Sequence, residues 1–417
     1  MLTEAPRGTK DILPGTVGGW RYVEQIIRDV CREFNYQEIR TPIFEHTELF
    51  QRGIGDGTDV VDKEMYTFND RSGRSITLRP ENTASVVRSF VENKLYADSL
   101  PLKVFYIGPM FRYDRPQAGR MRQFHQFGVE ALGSESPAVD AETILLFLTV
   151  LRRLGLKDLK LKINSVGDPN CRPQHRKLLQ DYFRPHLNEL CEDCQHRFER
   201  SPLRILDCKV DADKPFMAGA PKITDNLCAD CHDHFELVKK FLTEAGVDYE
   251  VDSNLVRGLD YYTKTAFEVQ YAPLGGQSAV GGGGRYDGLV EELGGPSTPG
   301  VGFAMGLERI LLALQKQGLL PEGKEAIDVY GIVPDKEGAA DAFRTITALR
   351  EKGLSCDIDF MDRSMKAQMK QANRDGAKYA LIFGEEERKH GAVTVRNMED
   401  SSQETVKFEE LENYLTK

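Results

Sequence analysis

The chain has 417 residues, 40% of them apolar and 29% charged, an ordinary balance for a globular protein and enough for about two or three domains. Its net charge of −10 excludes a protein that coats nucleic acid through bulk charge, and leaves only local basic patches for that purpose. The polar N-terminus lacks a signal-peptide core and no apolar run is long enough for a bilayer, so the eight cysteines predict reduced thiols or metal ligands in a cytoplasmic protein with no membrane contact.

Trp20, Val23, Ile26, Ile27, Val30 and Phe34 recur at helical spacing and predict an amphipathic helix over residues 18–34. A strand over 38–44 follows, with Pro42 confining it to an edge or to a position where no amide donor is needed. Residues 50–61, rich in glycine and charge, predict a loop. Short strands over 65–68 and 75–78 lead into Arg79-Pro80-Glu81-Asn82-Thr83, where the pattern turns helical until about residue 93. Glu81 and Thr83 therefore sit at a strand-to-helix junction. A carboxylate there can bind an ammonium group or cap the helix, and local sequence leaves both readings open.

Residues 104–133 carry the densest pattern, VFYIGPMFRYDRPQAGRMRQFHQFGVEALG, two strands joined by an arginine-rich loop. Alternation puts Phe105, Ile107, Phe111 and Tyr113 on one face and Arg112 with Asp114 on the other. In the second strand Phe124, Gln126, Gly128 and Glu130 share a face, opposite Phe127 and Val129. With the apolar faces on the core, Arg112, Gln126 and Glu130 converge over a floor left open by Gly128. Such a floor suits a small zwitterion beside a phosphate. Arg115, Arg120 and Arg122 form a basic cluster able to meet a nucleic-acid backbone, although an isolated hairpin of this kind reads as a solvated tip.

A helix over 137–154, a strand over 159–163 and a turn at 165–169 follow. Residues 171–246 are mostly helical in pattern and rich in charge and histidine. They separate two segments that belong to one site, which predicts an inserted domain. This block carries Cys191-x-x-Cys194 and Cys228-x-x-Cys231, a spacing suited to tetrahedral coordination of one structural zinc, with Cys208, His232 and His234 leaving the ligand set open. In LVRGLDYYT (255–263), Arg257 beside Gly258 is a cation on backbone open to a ligand, or else one half of an ion pair. A strand over 266–271 precedes Gly281 to Gly284, which read as a glycine loop opening a helix over 286–293, without Walker or dinucleotide spacing. Gly302, Ala304 and Gly306 form a flat strand face for a nucleotide. The helix from 306 to 314 then sets Arg309 in its first turn, where a cation is unfavourable unless an anion binds.

Residues 318–326 predict a linker. Beyond it, strands at 328–333, 355–360, 379–383 and 393–396 alternate with helices at 337–352 and 365–374, a small α/β domain with a mostly parallel sheet. Ser364 can cap the second of these helices, and Lys366, Lys370 and Arg374 repeat every four residues as a basic stripe.

FRYDRPQAGRMRQFHQFGVE resembles motif 2 of the class II aminoacyl-tRNA synthetases in its histidyl form. RPENT looks like the histidyl amino-acid-binding segment, with Asn82 where glycine is usual. LVRGLDYYT and GGGGR resemble two histidyl-specific motifs, GFAMGLER resembles motif 3, and the first helix, strand and proline look like motif 1, a dimer-forming element. The resemblance covers essentially the whole chain. It implies an α+β fold, an antiparallel sheet flanked by helices, with a catalytic domain over 1–325 interrupted at about 171–246 and an anticodon-binding α/β domain over 326–417. It implies a homodimer that joins L-histidine to tRNA(His) through a histidyl-adenylate, using ATP and magnesium. Arg257 and Arg112 would act in catalysis, Arg112 and Arg309 on ATP, Glu81, Thr83 and Gln126 on the histidine ammonium and carboxylate, and Glu130 and Tyr262 on its imidazole. Arg115, Gln117, Arg122, Lys366, Lys370 and Arg374 would meet the tRNA. Two other readings are a catalytically inactive, synthetase-like regulatory subunit of histidine biosynthesis and a binding module without chemistry. The presence of Arg112, Arg257, Arg309 and a C-terminal domain argues against both.

Overall fold

The computed structural model describes residues 3–416 except 56, 57, 59, 118, 209 and 322–325. They fall into two compact units, Met1–Ile12 with Gly19–Leu320, and Leu13–Gly18 with Pro321–Lys417. Up to residue 320 the chain runs α1 (Pro14–Glu33), β1 (Gln37–Glu38), β2 (Phe44–His46), α2 (Thr47–Ile54), β3 (Tyr66–Asn69), β4 (Ser75–Leu78), α3 (Thr83–Glu92), β5 (Leu102–Phe111) and β6 (Gln123–Leu132). It continues with α4 (Pro137–Arg153), β7 (Leu159–Ser165), α5 (Arg172–Phe183), α6 (Glu192–Arg200), α7 (Ala229–Glu244), β8 (Glu250–Val251), β9 (Thr263–Tyr271), β10 (Ala279–Arg285), α8 (Leu289–Glu292), β11 (Gly300–Gly306) and α9 (Leu307–Lys316).

Eight strands form the main sheet in the order β1-β5-β6-β11-β10-β9-β7-β8. Its six inner strands pair antiparallel, and only the short outer strands β1 and β8 join parallel. Alternation sends Phe127, Val129, Phe267, Val269, Phe303 and Met305 to one face, where α4 closes the core. There Phe147 stacks on Phe303 at 4.5 Å between centroids. The neighbouring positions on the same strands, Gln126, Glu130 and Glu268, face the other way and line a cavity.

The strand expected over 38–44 is divided between two sheets. β1 joins the main sheet, and β2 joins a separate one in the order β2-β4-β3. Pro42 has no donor for a ladder, and the carbonyls freed between the two strands turn to the Arg79 guanidinium, 3.2 Å from Thr41 O and 3.4 Å from Pro42 O. The loop expected from residue 50 begins as helix, because Phe50 and Ile54 lie one turn apart and are both fully buried. Residues 56, 57 and 59 of that loop lie outside the described residues. In the region expected as an insertion, α5 and α6 share a core of Leu179, Phe183, Phe198 and Ile205. α7 instead gives Phe235, Val238 and Leu242 to the main core.

The second unit contains β12 (Val329–Ile332), α10 (Ala339–Glu351), β13 (Cys356–Ile358), α11 (Met365–Arg374), β14 (Tyr379–Ile382), α12 (Glu385–Lys389), β15 (Ala392–Asn397), β16 (Gln403–Lys407) and α13 (Leu411–Leu415). Its strand order is β13-β12-β14-β15-β16. The first three are parallel and the last two antiparallel, so the sheet is mixed rather than mostly parallel. Ser364 stands at the start of α11, but its hydroxyl makes no capping bond; its carbonyl accepts from Ala367 and Gln368. The middle of the linker expected over 318–326 lies outside the described residues. Among the described residues no helix is long and apolar enough to cross a membrane.

Candidate active site

A cavity of about 330 Å³ opens on the polar face of the main sheet. It collects Glu81, Thr83, Arg112, Gln126, Glu130, Arg257, Tyr262 and Arg309, which lie far apart in sequence. Glu81 and Thr83 enter at the start of α3, Gln126 and Glu130 from β6, Arg112 just beyond β5, and Arg309 from the first turn of α9.

One end of the cavity is acidic. Glu81 accepts the amides of Thr83 at 2.6 Å and Ala84 at 2.9 Å, so it caps α3 and lines the cavity at the same time. Burial raises its carboxyl above the ordinary range, against those amides and the Arg112 charge. Thr83 Oγ1 donates to Glu130 Oε1 at 2.8 Å, Tyr286 donates to Glu130 Oε2, and Tyr106 approaches Oε1 at 3.4 Å. Burial pushes the Glu130 carboxyl up to about 8; the Tyr286 and Thr83 donors hold it down, and the neighbouring Glu81 adds to the rise.

The other end is basic. Arg112 Nε donates to Pro80 O at 2.8 Å and its guanidinium lies 5.5 Å from the Phe124 ring centroid. Arg309 donates to Gly119 O and Ala279 O. Burial lowers its pKa, and the nearby Arg120 and Arg112 charges act in the same direction. An anion would relieve all three arginines. Between the two ends, Arg257 pairs with Glu268 at 2.9 Å and lies 5.9 Å from the Tyr262 ring. Two buried polar atoms here, Gln126 Oε1 and Arg257 Nε, have no protein partner among the described residues.

The floor differs from the one expected. The space over Gly128 is filled by the Tyr106 ring, because Tyr106 stands directly opposite Gly128 in the β5–β6 register. Gly302, Ala304 and Gly306 all line the cavity, and a β-carbon on Gly302 would collide with the Glu130 carboxylate. The four glycines are strand β10 and not a loop, and the helix after them shrinks to α8. A β-carbon on Gly282 would lie 2.7 Å from Arg257 Nη1, and one on Gly284 would lie 2.9 Å from the Tyr262 ring. Glycine in this strand thus makes room for two site residues. Asn82 points out of the cavity, accepting from Thr41 at 2.7 Å and Arg79 at 3.1 Å. Its φ of −122° needs no glycine.

Sequence reasoning missed Tyr106, Tyr286 and Glu268. Tyr106 and Glu268 carried a signal, since each alternates with core residues on its own strand. Tyr286 carried none. Of the basic loop, Arg120 pairs with Asp114 and Glu64, and Arg122 stacks 3.9 Å from the Tyr113 ring centroid, while Arg115 and Gln117 are exposed. Lys366, Lys370 and Arg374 share the exposed face of α11, opposite buried Gln368 and Ala372.

The four cysteines expected to hold one zinc do not meet. Cys191 and Cys194 gather with Cys208 and Asp211, whereas Cys228 and Cys231 gather with Asp168 and Cys171. Each Cys-x-x-Cys opens a different helix, α6 or α7, and the two helices serve different cores. His232 is exposed beside Asp233, and His234 is bound to Asp140 at 2.8 Å.

An antiparallel sheet with one face closed by helices, and the other setting carboxylates against arginines, is the core of a class II aminoacyl-tRNA synthetase. A family model for histidyl-tRNA synthetase matches residues 8–310, and one for an anticodon binding domain matches residues 328–417. The chain belongs to the histidyl-tRNA synthetase family. It is 58% identical over 415 residues to the histidine–tRNA ligase of Pelotomaculum thermopropionicum, covering 100% of this chain and 98% of that one. It is 56% identical over 417 residues to the histidine–tRNA ligase of Moorella thermoacetica, covering 100% and 99%. The crystal structure of apo S. aureus histidyl-tRNA synthetase superposes with a TM-score of 0.85 at 42% identity, over 100% of both chains.

Proposed function

We propose that this protein activates L-histidine with ATP and transfers the histidyl group to tRNA(His), in the cytoplasm and as a homodimer. The observation that carries the reading is that one cavity is lined both by the buried carboxylates Glu81 and Glu130 and by the arginines Arg112, Arg257 and Arg309. Glu81, Thr83 and Gln126 take the ammonium group and place the carboxylate. Glu130 and Tyr262 read the imidazole. A histidine carboxylate oxygen attacks the α-phosphorus of ATP, a new C–O–P linkage forms, the bond to the bridging oxygen breaks, and pyrophosphate leaves. Charge gathers on the α-phosphate oxygens, so fixed cations at Arg112 and Arg257 dominate catalysis, and Arg309 holds the outer phosphates. ATP enters as its magnesium complex; Glu268, paired with Arg257, and Glu308, which accepts from the His125 amide, line the same cavity and would offer hard oxygen ligands to that ion. No covalent nucleophile is needed. A terminal ribose hydroxyl of the tRNA then attacks the activated carbonyl and AMP departs.

In this reading residues 1–325 form the catalytic domain and 326–417 the anticodon-binding domain. Arg115, Gln117, Arg122, Lys366, Lys370 and Arg374 face the tRNA. Histidine–tRNA ligases that are 52–58% identical over nearly the whole chain favour the ligase over a regulatory subunit. The test is histidine-dependent exchange of pyrophosphate into ATP. Exchange that depends on histidine supports the reading, and a purified, folded protein that binds histidine without exchange overturns it.

A further inference from the structure

Two clusters outside the cavity each bring three thiols and one carboxylate together. In the first, Asp168 and Cys171, from the turn after β7, meet Cys228 and Cys231 at the start of α7. In the second, Cys191 and Cys194, at the start of α6, meet Cys208 and Asp211. The donor atoms of each cluster lie within 4.8 Å of one another. Cys171 Sγ is 3.8 Å from Cys231 Sγ, and Cys191 Sγ is 3.7 Å from Cys208 Sγ. Disulfide sulfurs lie about 2.0 Å apart. Thiolates about 2.3 Å from a tetrahedral zinc stand about 3.8 Å from each other. The observed separations match the edge of that tetrahedron.

Both clusters are built to one plan. Each uses one Cys-x-x-Cys at a helix start and one mixed pair of the same spacing, Asp168-x-x-Cys171 or Cys208-x-x-Asp211. Six of the eight residues are buried, and Cys191 and Cys228 are half-buried. Each carboxylate is held in place by backbone amides. Asp168 Oδ1 accepts from Asn170 at 2.9 Å and Cys171 at 3.1 Å, and Asp211 accepts from Cys191 while pairing with Lys214 at 2.8 Å. Such outer donors orient the ligand oxygens of metal sites. Three soft sulfurs and one oxygen within 4.8 Å of one another supply the four ligands of a closed, structural zinc site.

We propose that this protein holds two structural zinc ions, one in each cluster. The first ion joins residues sixty positions apart and so clamps the two ends of the region between β7 and α7. It also steadies the cavity, because Arg172, next to Cys171, donates to the carbonyls of Val166 and Tyr262. The second ion ties residues seventeen positions apart and stays within that region.

The full-length protein, purified without chelator and passed over a chelating resin, should contain about two zinc ions per chain by elemental mass spectrometry. Cys194→Ser with Cys208→Ser should leave one, and Cys171→Ser with Cys231→Ser should leave the other. Should a variant fail to fold, the unaltered protein still gives an answer. Stepwise titration of its thiols with an organomercurial should release zinc to a chromogenic chelator in proportion to the thiols blocked, to a total of about two. A zinc content near zero, with no metal of any kind released on thiol modification, overturns the proposal. One ion that is lost in only one of the double variants overturns the two-site form.

Discussion

Glu130 is held inside the protein by hydroxyls of Thr83, Tyr106 and Tyr286, yet burial still outweighs them and lifts its carboxyl to about 8. An unfolded chain loses that proton near 4.5. Between those two values the folded state holds a proton that the unfolded state lacks, so stability of the unliganded protein falls as pH rises through the window. The slope from this one group approaches about 1.4 kcal/mol per pH unit. Glu130→Gln should flatten it, and thermal midpoints recorded from pH 5 to 8 with no ligand present should diverge between the two proteins. Parallel curves would remove the buried charge from the account. Arg257→Ala should lower histidine-dependent pyrophosphate exchange by about 10²–10³ with the fold intact, since it takes away one fixed charge at the reacting phosphate. Near-normal exchange would make the Arg257–Glu268 pair purely structural. Period-two reading was enough to place Arg112, Gln126 and Glu130 on one face. It did not reveal that Tyr106 fills the space over Gly128, because that follows from the register between strands and not from either strand alone. The cysteines failed for a related reason: a Cys-x-x-Cys spacing tells which thiols share a helix start, but not which distant pair they meet.

Four elements are tied together by one buried carboxylate. Asp140 of α4 pairs with Arg285 of β10, accepts from His234 of α7 at 2.8 Å, and accepts from Thr265 of β9 at 2.5 Å. Asp140 and Arg285 side chains are both fully buried. Burial alone would raise the Asp140 carboxyl, but the His234 hydrogen bond and the Arg285 charge outweigh it and hold it below the ordinary range. Its contribution is therefore present above the ordinary carboxylate range and is lost as pH falls through the depressed value. Asp140→Ala takes the fully buried carboxylate from Arg285 and leaves it only the half-buried Asp287, at 3.0 Å, as a charge partner, so chemical denaturation should record a loss toward the lower end of about 3–5 kcal/mol. A loss below about 1 kcal/mol would show that water or a repacked neighbour replaces the carboxylate. Elements with clean alternation or helical spacing, such as β6, β9, α3 and α4, were legible from sequence. β10 was not, because glycine is depleted in strands and four in a row read as a loop. The third dimension supplies the reason, since Arg257 and Tyr262 occupy the space that side chains on Gly282 and Gly284 would need. β16 was missed because Gln403–Lys407 buries only Val406 and so has no apolar rhythm.

At the scale of the whole molecule, the second unit has a core of its own, with Val329, Ile346, Leu381, Phe383, Val393 and Val395 packed together. Leu319 and Leu320 belong to the core of the first. A chain ended after Pro321 keeps every cavity residue named above, so it should retain pyrophosphate exchange and lose most tRNA charging. The exposed face of α11 then becomes a sharper probe than truncation, because changing it leaves both cores whole. Lys366, Lys370 and Arg374 are exposed, and a triple change to Glu replaces three positive charges with three negative ones on a helix whose buried face is Gln368 and Ala372. Attraction to a phosphate backbone is a salt-dependent term, and each lost contact lowers the salt slope of binding by about one. The triple variant should therefore show a raised KM for tRNA at low salt, a shallower dependence of that KM on salt, and unchanged histidine-dependent exchange. Unchanged charging, or an equal fall in exchange, would return the stripe to a solvated helix face.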